Sequence, residues 1–215
     1  MNKDLYKKET AKTLLEINAV TFRFDPPFVF TSGLKSPIYL DNRITMSYPK
    51  ERGKIIGFYV SIIKNHIGLA NVDYISGTAT AAIPQAAFVS DKLNLPMVYV
   101  RPSTKSYGKG NKLEGYLKPG SDVVIIEDHI STATSVANNA QTIRASGGRV
   151  KYCITTTIYN SKETKKLLEE NGITVYSLTT GKYIADEALR QGIITEKEKK
   201  SIDLWFHNPH VWTNK

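Results

Sequence analysis

Residues 123–135 read Val-Val-Ile-Ile-Glu-Asp-His-Ile-Ser-Thr-Ala-Thr-Ser and mark a change from strand to helix. The run at 123–126 is β-branched throughout and follows Gly120, which predicts a buried parallel strand. Helical spacing begins at Val136, so residues 131–135 lie where the strand ends and the helix begins. Unpaired backbone N–H groups and the positive end of the helix dipole favour an anion at that point.

Two acids and several hydroxyl side chains surround this predicted junction. Glu127 and Asp128 only accept hydrogen bonds at neutral pH, so they suit the vicinal hydroxyls of a sugar and not the anion itself. The hydroxyl donors are Ser131, Thr132, Thr134 and Ser135. The stretch therefore suits a ribose phosphate. The alternative is a capped helix after a core strand, in which the Ser and Thr residues merely satisfy the first turn.

Length and composition indicate a soluble globular protein. The chain has 215 residues, of which 41% are hydrophobic and 23% are charged, enough for one domain with a good core or a domain with a small appendage. No apolar run approaches the roughly 20 residues that span a bilayer, and the first residues lack the apolar core of a signal peptide. A single cysteine, Cys153, excludes an internal disulfide. We therefore expect a cytoplasmic protein without a membrane partner.

The net charge of +9 raises the possibility of nucleic-acid binding, because Lys and Arg clusters bind phosphates. The lysines at 162–170 and 196–200 are interspersed with glutamates, however, as on ordinary solvated helix faces. Binding of a small polyanionic substrate would account for part of the same excess of positive charge. Nucleic acid is thus the less favoured partner.

The order of elements predicts an α/β fold. A helix at 4–17 and short strands around Pro26-Pro27 precede residue 49, after which strands and helices alternate, as in a parallel sheet with helices on both faces. Ligands of such sheets bind at the carboxyl ends of the strands. We divide the chain into an N-terminal helix and hood at 1–48, an α/β core at 49–180 and C-terminal helices at 181–215. The core and C-terminal elements are predicted as helices at 49–66, 81–93, 134–146, 161–171, 182–191 and 195–206, and strands at 72–76, 96–101, 122–127, 149–158 and 173–179.

Two further segments follow predicted strands. Residues 76–82 read Ser-Gly-Thr-Ala-Thr-Ala-Ala, and such small residues expose backbone amides to which a diphosphate can come close; the alternative is a tight turn that serves packing. Residues 101–115 carry four cations and three glycines, with no apolar residue between Pro102 and Leu113. This composition predicts a mobile lid that orders around an anion, or else an ordinary exposed loop.

Residues 123–135 resemble the phosphoribosyl-diphosphate (PRPP) motif of type I phosphoribosyltransferases, a hydrophobic strand followed by two acids and a Thr/Gly-rich loop. The Ile-Ser-Thr core is most similar to the orotate branch of that family. The resemblance implies the family's parallel-sheet fold, with the acids on the ribose hydroxyls and the loop on the 5′-phosphate. It implies Lys105 and Asp128 as catalytic residues, and a PRPP site comprising Arg101, Lys105, Tyr107, Glu127, Asp128, His129, Ile130, Ser131, Thr132, Ala133, Thr134 and Ser135.

The two other loops carry the same resemblance. Residues 77–80 (Gly77, Thr78, Ala79 and Thr80) are similar to the family's diphosphate-binding loop. Residues 101–115 resemble its catalytic loop, which binds diphosphate through an Arg, a Lys and a His and reaches into the neighbouring subunit, implying a homodimer. Arg101 and Lys105 match that loop, whereas Tyr107 stands in place of the His and cannot carry its charge. Pro102 departs from the pattern as well.

The phosphate loop has departures of its own. Relatives usually have Gly at one or both of the positions of Ala133 and Thr134. If those positions require φ > 0, a side chain costs roughly 1–2 kcal/mol. His129 replaces an aliphatic residue and is expected to be a partly exposed side chain and not a proton carrier.

The segment at 28–43 supports the orotate branch through its Ser-Gly-x-x-Ser-Pro signature, found in the hood over the base. It implies orotate contacts from Lys35 and Tyr39, joined by Ser131, while Arg43 is either a second cation or structural. Aromatic groups can sandwich a flat pyrimidine while a cation neutralises its carboxylate. His207 and His210 lack a third ligand nearby, so no metal site made by protein side chains is expected.

The resemblance runs from about residue 10 to the C-terminus. It implies transfer of the ribose 5-phosphate of PRPP to orotate, with release of diphosphate and with Mg²⁺ bound through PRPP. Two alternatives stay open. The same fold can use another nucleobase, or the chain can be a PRPP- or nucleotide-binding regulatory protein without turnover, which Tyr107, Pro102 and the Ala133-Thr134 pair would explain.

Overall fold

A computed structural model describes residues 3–30, 33–102 and 112–212. The helices are α1 Lys3–Glu16, α2 Pro49–Ile62, α3 Ile83–Leu93, α4 Thr134–Ala145, α5 Lys162–Glu170, α6 Gly181–Arg190 and α7 Glu196–His207. The strands are β1 Val20–Phe22, β2 Phe28–Val29, β3 Lys35–Ser36, β4 Ile38–Leu40, β5 Tyr74–Thr78, β6 Met97–Val100, β7 Leu113–Glu114, β8 Asp122–Ile130, β9 Arg149–Ile158 and β10 Thr174–Thr180. A 3-10 helix spans Asn42–Ser47.

The main sheet has six strands in the order β10-β9-β8-β5-β6-β7. All neighbouring pairs are parallel except β6 with β7, which confirms the predicted α/β class. The central strand β8 is buried on both faces. Val124 and Ile126 pack in the core shared with α1, α2 and α6, whereas Val123 and Ile125 pack in a second core with α4 and α5. Burial on both faces explains the continuous β-branched run.

Three elements differ from the sequence-based expectation. Strand β8 continues to Ile130, beyond the expected end at 127, because its pairing with β9 persists to the Ile130–Ile158 pair. Strand β7 lies in the stretch predicted to be loop, and two residues are too few to show a periodicity. The helix predicted at 49–66 is α-helical only to Ile62, and a π-helical turn covers Ile63–Ile67.

The hood contains two small antiparallel pairs, β1 with β4 and β2 with β3. Helix α1 packs against α6 and β10. The division into 1–48, 49–180 and 181–215 remains a prediction. Within the described ranges, no helix combines the length and apolar character needed for a membrane span.

Candidate active site

The predicted loops meet at one edge of the sheet, because β5 lies between β6 and β8 and all three run in the same direction. Thr78 ends β5, Arg101 follows β6, and the acids lie near the end of β8. Lys105 and Tyr107 lie outside the described residues, so their placement remains a prediction. The carboxyl-end edge is where ligands of parallel sheets bind.

The two acids have different environments. They lie within β8 and not after it, and Glu127 is only 4% exposed, whereas Asp128 is partly exposed. The Glu127 Oε1 atom accepts a hydrogen bond of 3.0 Å from the Asp128 backbone N–H. Burial, and then the neighbouring Asp128 charge, raise the pKa of Glu127 well above its usual range. Burial also raises the pKa of Asp128, although its hydrogen bonds and nearby Arg43 oppose the rise. Asp128 is therefore the better placed acid for a ligand.

Two buried side chains bind the backbone carbonyls of these acids. The Tyr59 hydroxyl donates to the Glu127 carbonyl at 3.0 Å, and the Asn42 amide donates to the Asp128 carbonyl at 2.7 Å. Tyr59 and Asn42 are 0% and 1% exposed. Sequence reasoning missed both residues, because nothing in the sequence relates them to an acid more than 60 positions away. They fix the peptide from which the acids project.

His129 is partly exposed as a residue, as expected, but its Nε2 atom is buried and has no hydrogen-bond partner among the described residues. Its Nδ1 atom lies 2.8 Å from the Thr157 hydroxyl, and its ring packs edge-on against Tyr159 with centroids 4.4 Å apart. Burial lowers the pKa of His129 to about 4, so the imidazole is neutral near pH 7. That His129 is not a proton carrier stays a prediction. Its side chain is directed to an aromatic neighbour, which leaves its backbone as the part available to a ligand.

The loop after β8 presents hydroxyl groups to solvent. Ser131, Thr132, Thr134 and Ser135 are exposed, whereas Ile130 and Ala133 are buried at 1% and 4% exposure. The side chains of Ile130 and Ala133 pack in the second core, which leaves the backbone of these two residues for the predicted contacts to PRPP. Thr164 of α5 donates to the Ser131 carbonyl at 2.6 Å and fixes the start of the loop.

Helix α4 begins without a side-chain cap despite these hydroxyls. Its N-cap residue is Ala133, and no side chain accepts a hydrogen bond from the first turn. Helices α5, α6 and α7 are instead capped by Ser161, Thr180 and Thr195. The capped-helix alternative for residues 131–135 is thus wrong. The free first-turn N–H groups of α4 suit an anion.

Ala133 adopts the left-handed conformation, with φ 64° and ψ 2°. Thr134 is already the first residue of α4 and has no positive φ. Of the two positions where the resemblance leads to an expectation of glycine, only Ala133 therefore carries the conformational cost of roughly 1–2 kcal/mol.

The loop at 77–80 divides into packed and accessible residues. A Cβ atom on Gly77 would lie 3.0 Å from the Ala86 Cβ and 3.2 Å from the Ile83 Cα, so this glycine serves the close approach of α3. The Thr78 hydroxyl is buried and accepts a hydrogen bond of 2.9 Å from Asn139 of α4. Asn139, a residue that sequence reasoning missed, also accepts from Ser76 at 3.0 Å. Packing therefore accounts for Gly77, and Asn139 fixes the end of β5.

A pocket of about 350 Å³ lies beside the accessible part of this loop. Arg101 is its cation, and the Arg101 guanidinium lies 3.4 Å from a Glu114 carboxylate oxygen. The pocket thus contains a positive group, although the Glu114 carboxylate beside it offsets part of that charge. Its lining residues are Ala79, Thr80, Ile83, Tyr99, Arg101, Pro102 and Glu114.

The hood supplies aromatic surface. The Tyr39 ring lies 5.5 Å from Phe28 and 6.3 Å from Phe30, between ring centroids. Lys35 is exposed. Arg43 makes a two-pronged contact with Asp41 at 2.7 and 2.8 Å, which favours the structural role for this arginine. Another hood arginine, Arg23, lies over the Phe28 ring, 4.6 Å from its centroid.

A parallel sheet with an acidic central strand that leads into an uncapped, hydroxyl-rich helix start defines the type I phosphoribosyltransferase class. No protein-family model matches the chain. It is 42% identical over 206 residues to the orotate phosphoribosyltransferase of Listeria innocua, covering 96% of this chain and 98% of that one. The chain belongs to the orotate phosphoribosyltransferase family.

Comparison with solved structures agrees with this family assignment. Leishmania donovani UMP synthase is similar with a TM-score of 0.77 and 25% identity, over 93% of this chain and 42% of that chain. Orotate phosphoribosyltransferase from Aeropyrum pernix is similar with a TM-score of 0.69 and 27% identity, over 83% of this chain and 98% of that chain.

Proposed function

We propose that the protein transfers the ribose 5-phosphate of PRPP to orotate and forms orotidine 5′-monophosphate and diphosphate. The observation that carries the proposal is the uncapped start of α4 directly after the acids of β8. A helix that leaves its first-turn N–H groups free while hydroxyl side chains surround them is built for a phosphate. Membership of the orotate phosphoribosyltransferase family supplies the reaction.

In this proposal the ribose phosphate lies across the end of β8. Asp128 accepts hydrogen bonds from the ribose hydroxyls, while Glu127, which is nearly fully buried, supports its neighbour. Ser131, Thr132, Thr134 and Ser135 donate to the 5′-phosphate together with the N–H groups of α4. Each hydrogen bond to a charged phosphate contributes about 1.5–3 kcal/mol, which makes this loop the main source of PRPP affinity.

The diphosphate occupies the pocket lined by Ala79, Thr80 and Arg101. Displacement at the anomeric carbon through an oxocarbenium-like transition state places negative charge on this leaving group. Arg101 and, from the loop beyond it, Lys105 stabilise that charge, while Tyr107 donates a hydrogen bond. Positioned cations of this kind act most strongly where water is excluded.

Mg²⁺ fits this arrangement when carried by PRPP. The partly exposed carboxylate of Asp128 is a ligand of the type that Mg²⁺ takes, whereas that of Glu127 is nearly fully buried. Mg²⁺ commonly combines one or two carboxylates with substrate phosphates and water. When bound, it neutralises charge on the diphosphate.

Orotate binds between the hood and the loop after β8. Tyr39 and Phe28 present aromatic surface, exposed Lys35 faces the orotate carboxylate, and the exposed Ser131 hydroxyl lies at the ribose end. We further propose a cytoplasmic homodimer in which the part of the loop around Lys105 and Tyr107 reaches the partner's site, while Arg101 stays in the pocket of its own chain. Sedimentation of the purified protein as a dimer supports the assembly, and a monomer with full activity contradicts it.

The deciding experiment is an assay of diphosphate release and orotidine 5′-monophosphate formation from PRPP, Mg²⁺ and orotate, repeated with adenine, guanine and uracil. Turnover with orotate at an ordinary enzymatic rate supports the proposal. Turnover only with another base assigns a different substrate, and PRPP binding without turnover assigns a regulatory role. Asp128→Asn is the control, because it removes the charge with little change in side-chain size.

A further inference from the structure

Four aromatic rings form a packed cluster that begins next to the acids, and they belong to His129, Tyr159, Trp205 and Phe206. We call this cluster the aromatic bridge. Tyr159 lies at its centre, with its ring centroid between 4.4 and 5.4 Å from those of the other three rings, and Trp205 of α7 is 2% exposed. Ring centroids are 4.4 Å apart for His129 and Tyr159, 5.3 Å for Tyr159 and Trp205, and 5.2 Å for Trp205 and Phe206. The contacts are edge-on or tilted, the arrangements that aromatic pairs prefer. The bridge thus begins at the residue after Asp128 and ends on α7.

The aromatic bridge leaves no room at the start of α6. A Cβ atom on Gly181 would lie 2.6 Å from a Phe206 ring carbon and 2.9 Å from a Tyr159 ring carbon. Only glycine allows α6 to approach the rings this closely. The cluster is therefore tightly packed, and a displacement of one ring is transmitted to its neighbours.

Trp205 also binds the hood. Its indole Nε1–H donates a hydrogen bond of 2.8 Å to the backbone carbonyl of Lys35, 170 positions away along the chain. Strand β3, which contains Lys35, has two residues and pairs only with the two residues of β2. A two-stranded pair of this kind is marginal by itself. The indole hydrogen bond of Trp205 therefore helps to fix the position of β3.

Tyr39 of the hood lies near the aromatic bridge. Burial raises the pKa of Tyr159, and the nearby Tyr39 phenol adds to the rise. Tyr39 belongs to β4 of the hood, and Tyr159 belongs to the aromatic bridge. The indole hydrogen bond thus attaches the hood to the core at Lys35, one of the two hood residues assigned to orotate, and the other, Tyr39, lies near the same cluster.

We propose that Trp205 is a positioning residue that sets the hood over the ribose site and so determines how tightly orotate binds. The inference rests on the proposed function, in which the hood holds orotate and β8 holds the ribose. Trp205 touches neither substrate. Its effect passes through the Lys35 carbonyl on one side and through Tyr159 and His129 on the other.

The test compares Trp205→Phe with Trp212→Phe. Both tryptophans are buried, and Trp212 donates its indole N–H to Ser201 at 3.0 Å, within the C-terminal segment and away from the hood. Trp205→Phe should raise the KM for orotate roughly five- to tenfold, the equivalent of one lost hydrogen bond, while the KM for PRPP changes less than about twofold. Trp212→Phe should leave both constants unchanged. Equal orotate KM values in the two variants overturn the inference.

A second measurement covers the case in which Trp205→Phe does not fold. The chain has two tryptophans, so fluorotryptophan labelling gives two fluorine resonances, assigned with the Trp212→Phe variant. Addition of orotate with PRPP and Mg²⁺ should move the Trp205 resonance and leave that of Trp212 in place; an unmoved Trp205 resonance overturns the inference. If the wild-type protein does not use orotate, the proposed function itself fails, and the inference falls with it.

Discussion

The side-chain amide of Asn42 donates hydrogen bonds to the Asp128 carbonyl at 2.7 Å and to the Thr157 hydroxyl at 2.8 Å. Asn42 begins the 3-10 helix of the hood, whereas Asp128 and Thr157 lie on the adjacent strands β8 and β9. The Thr157 hydroxyl is itself 3.5 Å from the Asp128 carbonyl. One buried amide therefore ties the hood to the strand that carries the acid.

Replacing Asn42 with Ala should weaken the use of PRPP. The Asp128 carbonyl then loses its 2.7 Å hydrogen bond, and removing the partner of a buried acceptor costs about 1–3 kcal/mol. Part of that cost is relieved by movement of Asp128, so we expect kcat/KM for PRPP to fall roughly tenfold or more. Steady-state kinetics with PRPP varied measure the effect.

Asn71→Ala is the matched control for this substitution. The Asn71 amide also donates to a backbone carbonyl, that of Ile67 at 2.8 Å, but it lies far from the edge of the sheet that carries the acids. Loss of activity in Asn71→Ala equal to that in Asn42→Ala would mean that general destabilisation, and not the position of Asp128, explains the result.

The regular part of the fold was predictable from sequence because burial leaves a pattern. Strand β9 occupies the predicted residues 149–158, and its second half, residues 153–158, is buried on both faces and is β-branched after Cys153. Strand β7 left no such pattern, because two residues paired at the sheet edge show no periodicity. The class of fold can thus be predicted from the long central strands, whereas short strands at the edge of the sheet cannot be predicted in this way.

The sequence predicted which segments form the candidate site, but not which distant residues hold those segments in place. Glu127, Asp128 and the hydroxyl loop are contiguous, so the sequence shows them together. Asn42, Tyr59 and Asn139 act through hydrogen bonds to distant strands, and no local pattern reveals such partners. Whether hydroxyl side chains cap α4 also depends on backbone geometry, here the left-handed Ala133, and not on which residues are present.

Ala133→Gly should leave the free energy of unfolding within about 1 kcal/mol of the wild type. Glycine relieves roughly 1–2 kcal/mol of left-handed strain, and it loses about 0.8 kcal/mol from one buried methyl group and a similar amount in chain entropy. These effects nearly cancel. Ala137→Gly is the control, because Ala137 is also buried but lies inside α4.

In the control, the lost methyl group and the poor helix propensity of glycine act in the same direction, so we expect Ala137→Gly to lose about 2 kcal/mol. Urea denaturation of both variants provides the comparison. Equal losses at the two positions would show that Ala133 is not strained.

Lys105→Ala should lower kcat far more than it weakens orotate binding, because the charge of Lys105 is proposed to act on the leaving diphosphate. Steady-state kinetics and orotate titration separate the two effects. Unchanged turnover would remove residues 101–115 from the mechanism. Lys118→Ala, an exposed lysine beyond that stretch, is the control for the loss of one positive charge.

Tyr107→His should maintain or raise activity. Histidine at this position restores the residue type of the family's loop, and its protonated form carries charge that tyrosine lacks. Any gain should grow as the pH is lowered toward the pKa of histidine. A large loss of kcat in the same assay would show that the loop of this chain has adapted to tyrosine.

His129 should make the protein less stable as the pH is lowered from neutral. Its pKa is 6.5 in the unfolded chain and about 4 in the folded one, because burial disfavours the imidazolium. Between those values the unfolded chain binds a proton that the folded chain does not, so the free energy of unfolding falls with falling pH. From about pH 7 to about pH 5 the loss from this residue is roughly 2 kcal/mol.

His129→Phe removes that proton while keeping an aromatic ring against Tyr159, so its free energy of unfolding should decline less than that of the wild type over the same interval. Urea denaturation at several pH values gives the difference between the two slopes, which cancels the contributions of the carboxylates common to both proteins. His66→Phe is the control for the same replacement at an exposed position. Parallel curves for His129→Phe and the wild type would place the imidazole in contact with water, and the aromatic bridge would then be open at its end beside Asp128.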